Sequence, residues 1–577
     1  MCGIIGYHGL EKTSDILYSS LLKMEYRGYD SCGIALFKNN KVSIYKNIGR
    51  VSKLVTNNPI TFDSLIGIGH TRWASCGEVS LRNAHPLKSF NKQFTLVHNG
   101  VVENVEYLKE KYFHDVIFNT DTDSEVIICL IEKFYHEDLL KTIFQVCKLI
   151  EGSYSLIIID ENDPNNLYCA KNKAPLIIGK KGFSTYVASD IQALHDSPLI
   201  YHMEDLTFAK IGKDIIIKDQ FFNDKDIFFM PNLIENEPIK MKDESYMLKE
   251  IYEQQEVIQR LKAKYLIHNE VTFQDNIKNL LQDFDEVFLI GCGTSYHACL
   301  IAEEFFNKLN IPSRSYVGSE ASINNLLLSK KPLIIVISQS GETHDLIKTV
   351  DLLSNYKNRI LLITNEKHSS LAFKLDHVLL MEAQKEVAVA STKTYLASYL
   401  LLYFIYLYIK KEPLKQELDI LYHAIGNAQS IDYTHIVEMI IKAKKIMLMG
   451  RGIDYKVALE GSLKLKEISY LPTEAYLSGE LKHGTMALMD EETIVIGLMS
   501  NVNTINLMKG NIEEIKSRKA NVYLLGCDKI CDVFCVDISM LSPLLLVVYM
   551  QLISYYTAKA LGNNVDFPRN LAKSVTV

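Results

Sequence analysis

One tryptophan and thirteen prolines stand in 577 residues, and glycine contributes only 28. So little proline and glycine excludes collagen-like and low-complexity chains. No charge of one sign dominates: 69 acidic residues against 62 basic ones leave a net charge of −7. No arm or segment is strongly basic, which argues against a nucleic-acid partner. Long uncharged runs are nearly absent. Ile538 to Ala558 carries no charge, but Ser539, Ser542, Pro543, Gln551 and Ser554 interrupt it. It reads as a helix buried in a large α/β core, so no membrane partner is expected. The opening residues, MCGIIGYHGL, lack a basic n-region and a long apolar h-region, and eleven cysteines are thinly spread. Free thiols in a reducing cytoplasm are expected.

Apolar residues make up 48% of the chain and charged residues 23%, an ordinary globular composition. At ~150 residues per domain the length suggests three or four domains. Residues 2–217 hold short apolar runs, such as YSLIIID and APLIIG, between Asn, Asp and Gly turns. They read as a β-rich domain. Residues 218–246 are polar and irregular, with Pro231 and Pro238, and read as a linker.

The second half repeats itself. FLIGCGTSYHACLIAEEFF, from Phe288, aligns with LMGRGIDYKVALEGSLKL, from Leu448. PLIIVISQS aligns with ETIVIGLMS, and RILLITN loosely with NVYLLGC. An apolar run, a Gly-x-Gly and an amphipathic stretch read as strand, tight turn and helix, so each copy predicts a parallel sheet. Two doubly wound α/β domains are expected, over 276–416 and 437–567, with a site where the copies or two subunits meet.

Cys2 follows the initiator Met. Once Met1 is removed, its α-amine titrates near ~8, close to the thiol at ~8.5, and can take the thiol proton. MCGIIGY, EYRGYDSCGIA (Glu25–Ala35), GIGHTRWA (Gly67–Ala74), NAHPL (Asn83–Leu87), VHNGVVEN (Val97–Asn104) and DTDSEV (Asp121–Val126) occur in that order. This resembles the class II glutamine amidotransferase domain, an α+β N-terminal-nucleophile (Ntn) fold of stacked antiparallel sheets. The resemblance implies glutamine hydrolysis through a thioester on Cys2, with Asn99 and Gly100 as oxyanion donors. It implies glutamine binding by Arg72, Trp73, Ser75 and Asp123. Cys76 stands where the family commonly has His, which leaves a side-chain role there open but not a backbone one.

SQSGET, Ser338–Thr343, follows an apolar strand. A hydroxyl-dense loop before a helix suits a phosphate, because backbone N–H groups and hydroxyls converge there. CGTS (Cys292–Ser295), SQSGET and VASTK (Val389–Lys393) resemble a sugar isomerase (SIS) domain. EGSLKLKEISY (Glu460–Tyr470), AYLSGELKHG (Ala475–Gly484) and DFPRNLAKSVTV (Asp566–Val577) extend the match. As a whole the chain resembles the compact bacterial type of the glutamine–fructose-6-phosphate aminotransferases (isomerising).

That resemblance implies glutamine and fructose 6-phosphate as substrates, ammonia released at Cys2 and passed to the isomerase site, and glucosamine 6-phosphate plus glutamate as products. It implies a role in the first step of amino-sugar biosynthesis and a homodimer. The expected sugar-site residues are Lys464, Glu467 as the C1–C2 proton carrier, His483 for ring opening and Lys573 as the imine-forming lysine on a tail over 568–577. Thr294, Ser295, Ser338, Gln339, Ser340, Thr343, Val389, Ser391 and Ala572 are expected to bind the sugar phosphate. No cofactor and no metal are expected, because the sugar carbonyl serves as electron sink. Cys527, Cys531 and Cys535, at four-residue intervals, lack the tight pairs of usual metal sites. No PRPP loop and no SGGxDS ATP loop occurs. The alternative reading is a sugar-phosphate-binding regulator that has lost catalysis.

Overall fold

The computed structural model describes residues 2–38, 41–58, 60, 64–232, 245–323, 326 and 328–574. Two compact units divide the chain: Met1–Ile239 with Ser574–Val577, and Lys240–Lys573. The boundary falls inside 218–246, of which 233–244 lie outside the described residues.

The first unit stacks two antiparallel sheets. One runs, from edge to edge, through Met230–Pro231, Leu199–His202, Ile177–Lys181, Ser184–Ala188, Gly3–His8, Ile66–Arg72, Ser31–Lys38 and Lys41–Ile48. The other runs through Ile215–Lys218, Thr207–Ile211, Leu167–Asn172, Gly152–Asp160, Phe94–Val102 and Leu87–Lys88. Alternation along each strand sends one set of side chains inward. Ile4, Ile66 and Ile68 meet Val97, Ile157 and Ile159 in one buried cluster between the sheets. The opposite faces are covered by helices, Thr13–Met24 on the first sheet and Asp123–Phe134 on the second. Gly67 and Gly69 face the first of these. A Cβ on Gly67 would lie 2.7 Å from Thr13 and one on Gly69 3.1 Å from Leu21, so glycine there lets the helix lie close.

The second unit holds two five-stranded parallel sheets with the same strand order. The first runs Ser313–Val317, Glu286–Gly291, Pro332–Ser338, Ile360–Thr364, His377–Leu380. The second runs Thr473–Leu477, Lys445–Gly450, Thr493–Met499, Asn521–Gly526, Val533–Phe534. The aligned Gly-x-Gly turns repeat down to the backbone angles. Gly293 has φ 54° and ψ −126°, and Gly452 has φ 54° and ψ −123°, each just before a helix, Thr294–Lys308 and Ile453–Ser469. A non-glycine residue is strained at such a φ.

Among the described residues one helix, Ser539–Ala560, is long and apolar enough to cross a membrane by length and composition, and 94% of its apolar window is buried inside the structure. Its Leu544, Leu545, Leu546 and Val547 are fully buried and belong to the core shared by both parallel sheets. Truncating Leu546 to Ala should therefore cost about 2–5 kcal/mol. The measurement is the urea unfolding midpoint of the second unit. An unchanged midpoint would put this helix outside the core.

Candidate active site

In the first unit the strand register brings distant residues together. Gly3 pairs with Thr71, and Ser31 with Arg72, so Cys2 comes level with the end of Ile66–Arg72. The Trp73 N–H donates to Cys2 Sγ at 3.4 Å, and the thiol lies 3.5 Å from Trp73 O. Burial pushes the Cys2 thiol up. The Arg72 guanidinium is buried and donates to Glu78 O at 3.1 Å, to Gly77 O at 3.3 Å and to Cys76 O. It thereby shapes the turn that carries exposed Ser75, and the contact at 76 is through the backbone. Cys76 Sγ donates to Asp121 O at 3.2 Å. Trp73 stands edge-on to Tyr29, ring centroids 6.0 Å apart.

The second sheet contributes Asn99 and Gly100. Asn99 is 1% exposed, and neither its amide nitrogen nor its amide oxygen has a partner among the described residues. Leaving such groups unpaired costs about 1–3 kcal/mol each, which suits a side chain kept for a ligand. Gly100 has φ 147°, and a Cβ there would lie 2.0 Å from Ser153 O, so only glycine fits. Asp123 opens the helix Asp123–Phe134 and accepts the Val102 N–H at 2.9 Å. Behind these lie three buried histidines that the sequence reading did not single out. His70 stacks on His85 with centroids 4.3 Å apart, and its Nε2 is 3.0 Å from His98 O. Burial brings His70 down to about 3, so it is neutral at physiological pH.

In the second unit the repeated copies meet through one carboxylate. Glu460 is fully buried on Ile453–Ser469. It accepts Thr294 Oγ1 at 3.2 Å and lies 2.7 Å from His297 Nδ1, both on the first copy's helix. Lys464, one turn along, lies 3.5 Å from Glu460 and donates to Glu467 at 2.7 Å. Burial alone would lower the Lys464 ammonium, but the charges of Glu460 and Glu467 hold it above its ordinary value. Glu460 stands in the quoted EGSLKLKEISY, and its i, i+4 spacing to Lys464 was the available signal.

A small cavity is lined by Thr294, Ser295, Gln339, Ser391, Thr394 and Tyr395. These residues come from the starts of Thr294–Lys308 and Lys393–Lys410 and from the loop before His344–Leu352. Helix N-termini carry partial positive charge and spare N–H groups, so the lining suits an anion. In that loop the Ser338 hydroxyl accepts the Gly341 N–H at 3.0 Å and lies 3.2 Å from Thr343 Oγ1. Ser340 Oγ accepts the Glu342 N–H at 3.2 Å. The equivalent loop of the second copy is answered by the protein itself. Asp454 accepts the Ser500 N–H at 3.0 Å, the Asn501 N–H at 3.2 Å and the Ser500 hydroxyl.

The tail is tied down as far as it is described; residues 575–577 lie outside. The Asp566 carboxylate takes the Met247 N–H at 2.8 Å, and its carbonyl takes the Val389 N–H at 2.9 Å. The Arg569 N–H donates to the Tyr470 hydroxyl at 2.8 Å. Beside half-buried Ala572, Lys573 donates to Glu386 and, at 3.3 Å, to Ser391. Sequence reasoning missed Glu386, because it sits in a loop with no periodicity to flag it. Burial opposes its ionisation, yet the Lys573 ammonium and the Thr394 and Thr392 donors bring it down to about 2. Neighbouring Glu250 accepts the Ala388 N–H at 3.3 Å, and burial with the charge of Glu386 pushes it up to about 8. His483 is exposed on the short turn Glu480–His483. Among the described residues no hydrogen bond or ion pair joins it to Lys464, Glu467 or Lys573.

Comparison with known proteins follows the same division. The SIS domain family model matches residues 280–408 and 439–529, and the glutamine amidotransferase domain model matches residues 70–196. A glutamine–fructose-6-phosphate aminotransferase (isomerizing) of Staphylococcus aureus (strain COL) is 39% identical over 601 residues, covering 100% of both chains. One from Oceanobacillus iheyensis is 39% identical over 606 residues, again covering 100% of both. A solved C-terminal domain of glucosamine-fructose-6-phosphate aminotransferase from Francisella tularensis superposes with a TM-score of 0.50 and 29% identity, covering 56% of this chain and 98% of that one.

The buried carboxylates give a pH prediction. Glu250 keeps its proton in the folded state up to about 8, whereas its ordinary value is 4.5. Between those values the folded state binds the extra proton, so stability falls as pH rises. Replacing Glu250 with Gln should stabilise the second unit at pH 8 relative to the wild type. The difference should vanish below pH ~4.5. Urea midpoints across that range are the check, and identical pH profiles would mean that Glu250 is ionised when folded.

Proposed function

The chain belongs to the glutamine–fructose-6-phosphate aminotransferase (isomerizing) family, and from that membership we propose that it converts glutamine and fructose 6-phosphate into glutamate and glucosamine 6-phosphate. The full-length relatives and the paired amidotransferase and SIS domains fit an enzyme rather than a regulator that has lost catalysis.

Cys2, freed of Met1, is the nucleophile in this reading. Its α-amine takes the thiol proton, and the sulfur attacks the glutamine carboxamide. Asn99 and the Gly100 N–H receive the oxyanion, which the unpaired buried amide of Asn99 supports. Collapse releases ammonia and leaves a thioester that water hydrolyses to glutamate. Arg72 and Asp123 are assigned to the ends of the glutamine amino-acid moiety, with Trp73 and Ser75 beside it.

The observation that carries the sugar chemistry is a continuous polar chain around one cavity. Ser391 lines it and bonds Lys573; Thr294 lines it and bonds Glu460, which pairs with Lys464 and through it with Glu467. The phosphoryl group is assigned to Ser295, Ser338, Gln339, Ser340 and Thr343, with Val389 and Ala572 against the sugar. Lys573 condenses with the C2 ketone, and ammonia replaces it. Glu467 moves a proton between C1 and C2, held in place by Lys464. His483 is assigned the ring-opening proton transfer. A cytoplasmic homodimer belongs to the same reading; sedimentation and cell fractionation test it.

Replacing Cys2 with Ala should abolish glutamate formation while leaving slow interconversion of fructose and glucose 6-phosphates. Replacing Glu467 with Gln should lose aminosugar formation while Cys2 still reacts. Loss of both activities in both folded variants would overturn the division of labour.

Replacing Lys573 with Arg keeps the charge that pairs with Glu386. A guanidinium stays protonated, so it cannot form the imine. Glucosamine 6-phosphate formation should fall by orders of magnitude, on the order of 10²-fold or more. Borohydride should trap fructose 6-phosphate on the wild type and not on this variant. Undiminished turnover would remove Lys573 from the chemistry.

A further inference from the structure

Three cysteines, Cys527, Cys531 and Cys535, play no part in either site. Their four-residue spacing hides an unequal arrangement. The strands Asn521–Gly526 and Val533–Phe534 run parallel, with Gly526 opposite Phe534. The next residues along are Cys527 and Cys535, and the Cys535 N–H donates to Gly526 O at 2.8 Å, so the ladder reaches them. Directly opposed residues on adjacent strands lie about 5 Å apart, within the ~4.4–6.8 Å that a disulfide spans. The Cys535 thiol is 3.5 Å from Val536 O and 3.9 Å from Ser542 O. Both pack into the large core between the sheets, Cys535 fully buried and Cys527 at its margin. Cys531 faces the other way, against the separate cluster that includes Met449 and Met508. Among the described residues no group of three His, Cys, Asp or Glu converges as a metal site would.

We propose that Cys527 and Cys535 form a peroxide-sensitive dithiol that closes reversibly to a disulfide, with Cys531 outside it. Cys527 is the attacking member, because it is half-exposed, and the neighbouring Cys535 thiol holds it below its ordinary value. Its thiolate attacks a hydroperoxide oxygen. The S–O bond forms, the O–O bond breaks, and the departing oxygen takes a proton to leave as water or an alcohol. Cys535 then attacks the sulfenic sulfur. The S–S bond forms and the S–O bond breaks. The hydroxide leaves with the Cys535 proton as a second molecule of water. Two thiols are oxidised and one peroxide is reduced. The same closure takes the Cys535 thiol from Ser542 O, 3.9 Å away in the first turn of the long buried helix Ser542–Ala560.

The test treats the folded full-length protein with hydrogen peroxide, blocks remaining thiols and digests with trypsin. Trypsin cuts after Lys529, between the partners. The expected result is a joined pair of peptides, 520–529 with 530–559, that separates on adding dithiothreitol. The link should persist when Cys531 is replaced with Ser and disappear when Cys527 or Cys535 is. If the Cys535 variant does not fold, the half-exposed Cys527 variant carries the same test. A link that requires Cys531, or oxidation of Cys527 to sulfinic acid with Cys535 still alkylatable, overturns the proposal.

Discussion

One fully buried carboxylate, Glu460, holds the two halves of the duplicated unit in register. It is answered by Thr294 and His297 from the first copy and by Lys464 from its own helix. A buried charge without partners costs several kcal/mol, and breaking such a pair leaves the other charge exposed to the same penalty. The hydrogen bonds therefore fix the approach of Ile453–Ser469 to Thr294–Lys308. Lys464, equally buried, pairs with Glu460 and Glu467. The orientation of Glu467 follows from a contact between copies that lies about two helical turns away from it.

The tail is placed by the same kind of compensation. Glu386 sits fully buried before the long helix Lys393–Lys410 and accepts from the Thr392 N–H, the Thr394 N–H and the Thr394 hydroxyl. A negative group is favoured at a helix N-terminus, and Lys573 pairs with it. Asp566 anchors the approach by bridging Tyr246 and Met247 to Val389. The duplication was not symmetrical in outcome. Asp454 occupies the loop of the second copy with a carboxylate, burial pushing it up to about 7. The first copy has Ser295 at the aligned position, a small hydroxyl that lines the cavity.

In the glutaminase unit, sheet register does what helix contacts do in the other. Two β-bonded neighbours, Gly3 and Thr71, set Cys2 beside Trp73. The inter-sheet space is apolar over Ile4, Val97 and Ile157. It turns polar toward His70, His98 and Asn99, all buried. Polar groups left unpaired in such a place are costly, and their concentration at this end of the sandwich supports the proposed site there.

The sequence alone determined the architecture. Short apolar runs between turns marked the first half as β-rich, the resemblance of its motifs implied stacked antiparallel sheets, and the aligned Gly-x-Gly turns predicted the two parallel sheets, because periodicity and turn chemistry are local properties of the chain. It also carried the motifs around Cys2, Asn99, Lys464 and Glu467, since those residues stand in contiguous stretches and Lys464–Glu467 lie on one helical face. Glu386, Glu250, His297 and the three inner histidines were not legible. Each owes its environment to segments far apart in sequence: Glu386 meets Lys573 across 187 residues and His297 meets Glu460 across 163. The even spacing of Cys527, Cys531 and Cys535 does not distinguish them; the packing of a parallel sheet, with clusters on both faces, separates one from the other two. Burial and long-range charge are set by tertiary packing, and no local pattern encodes them.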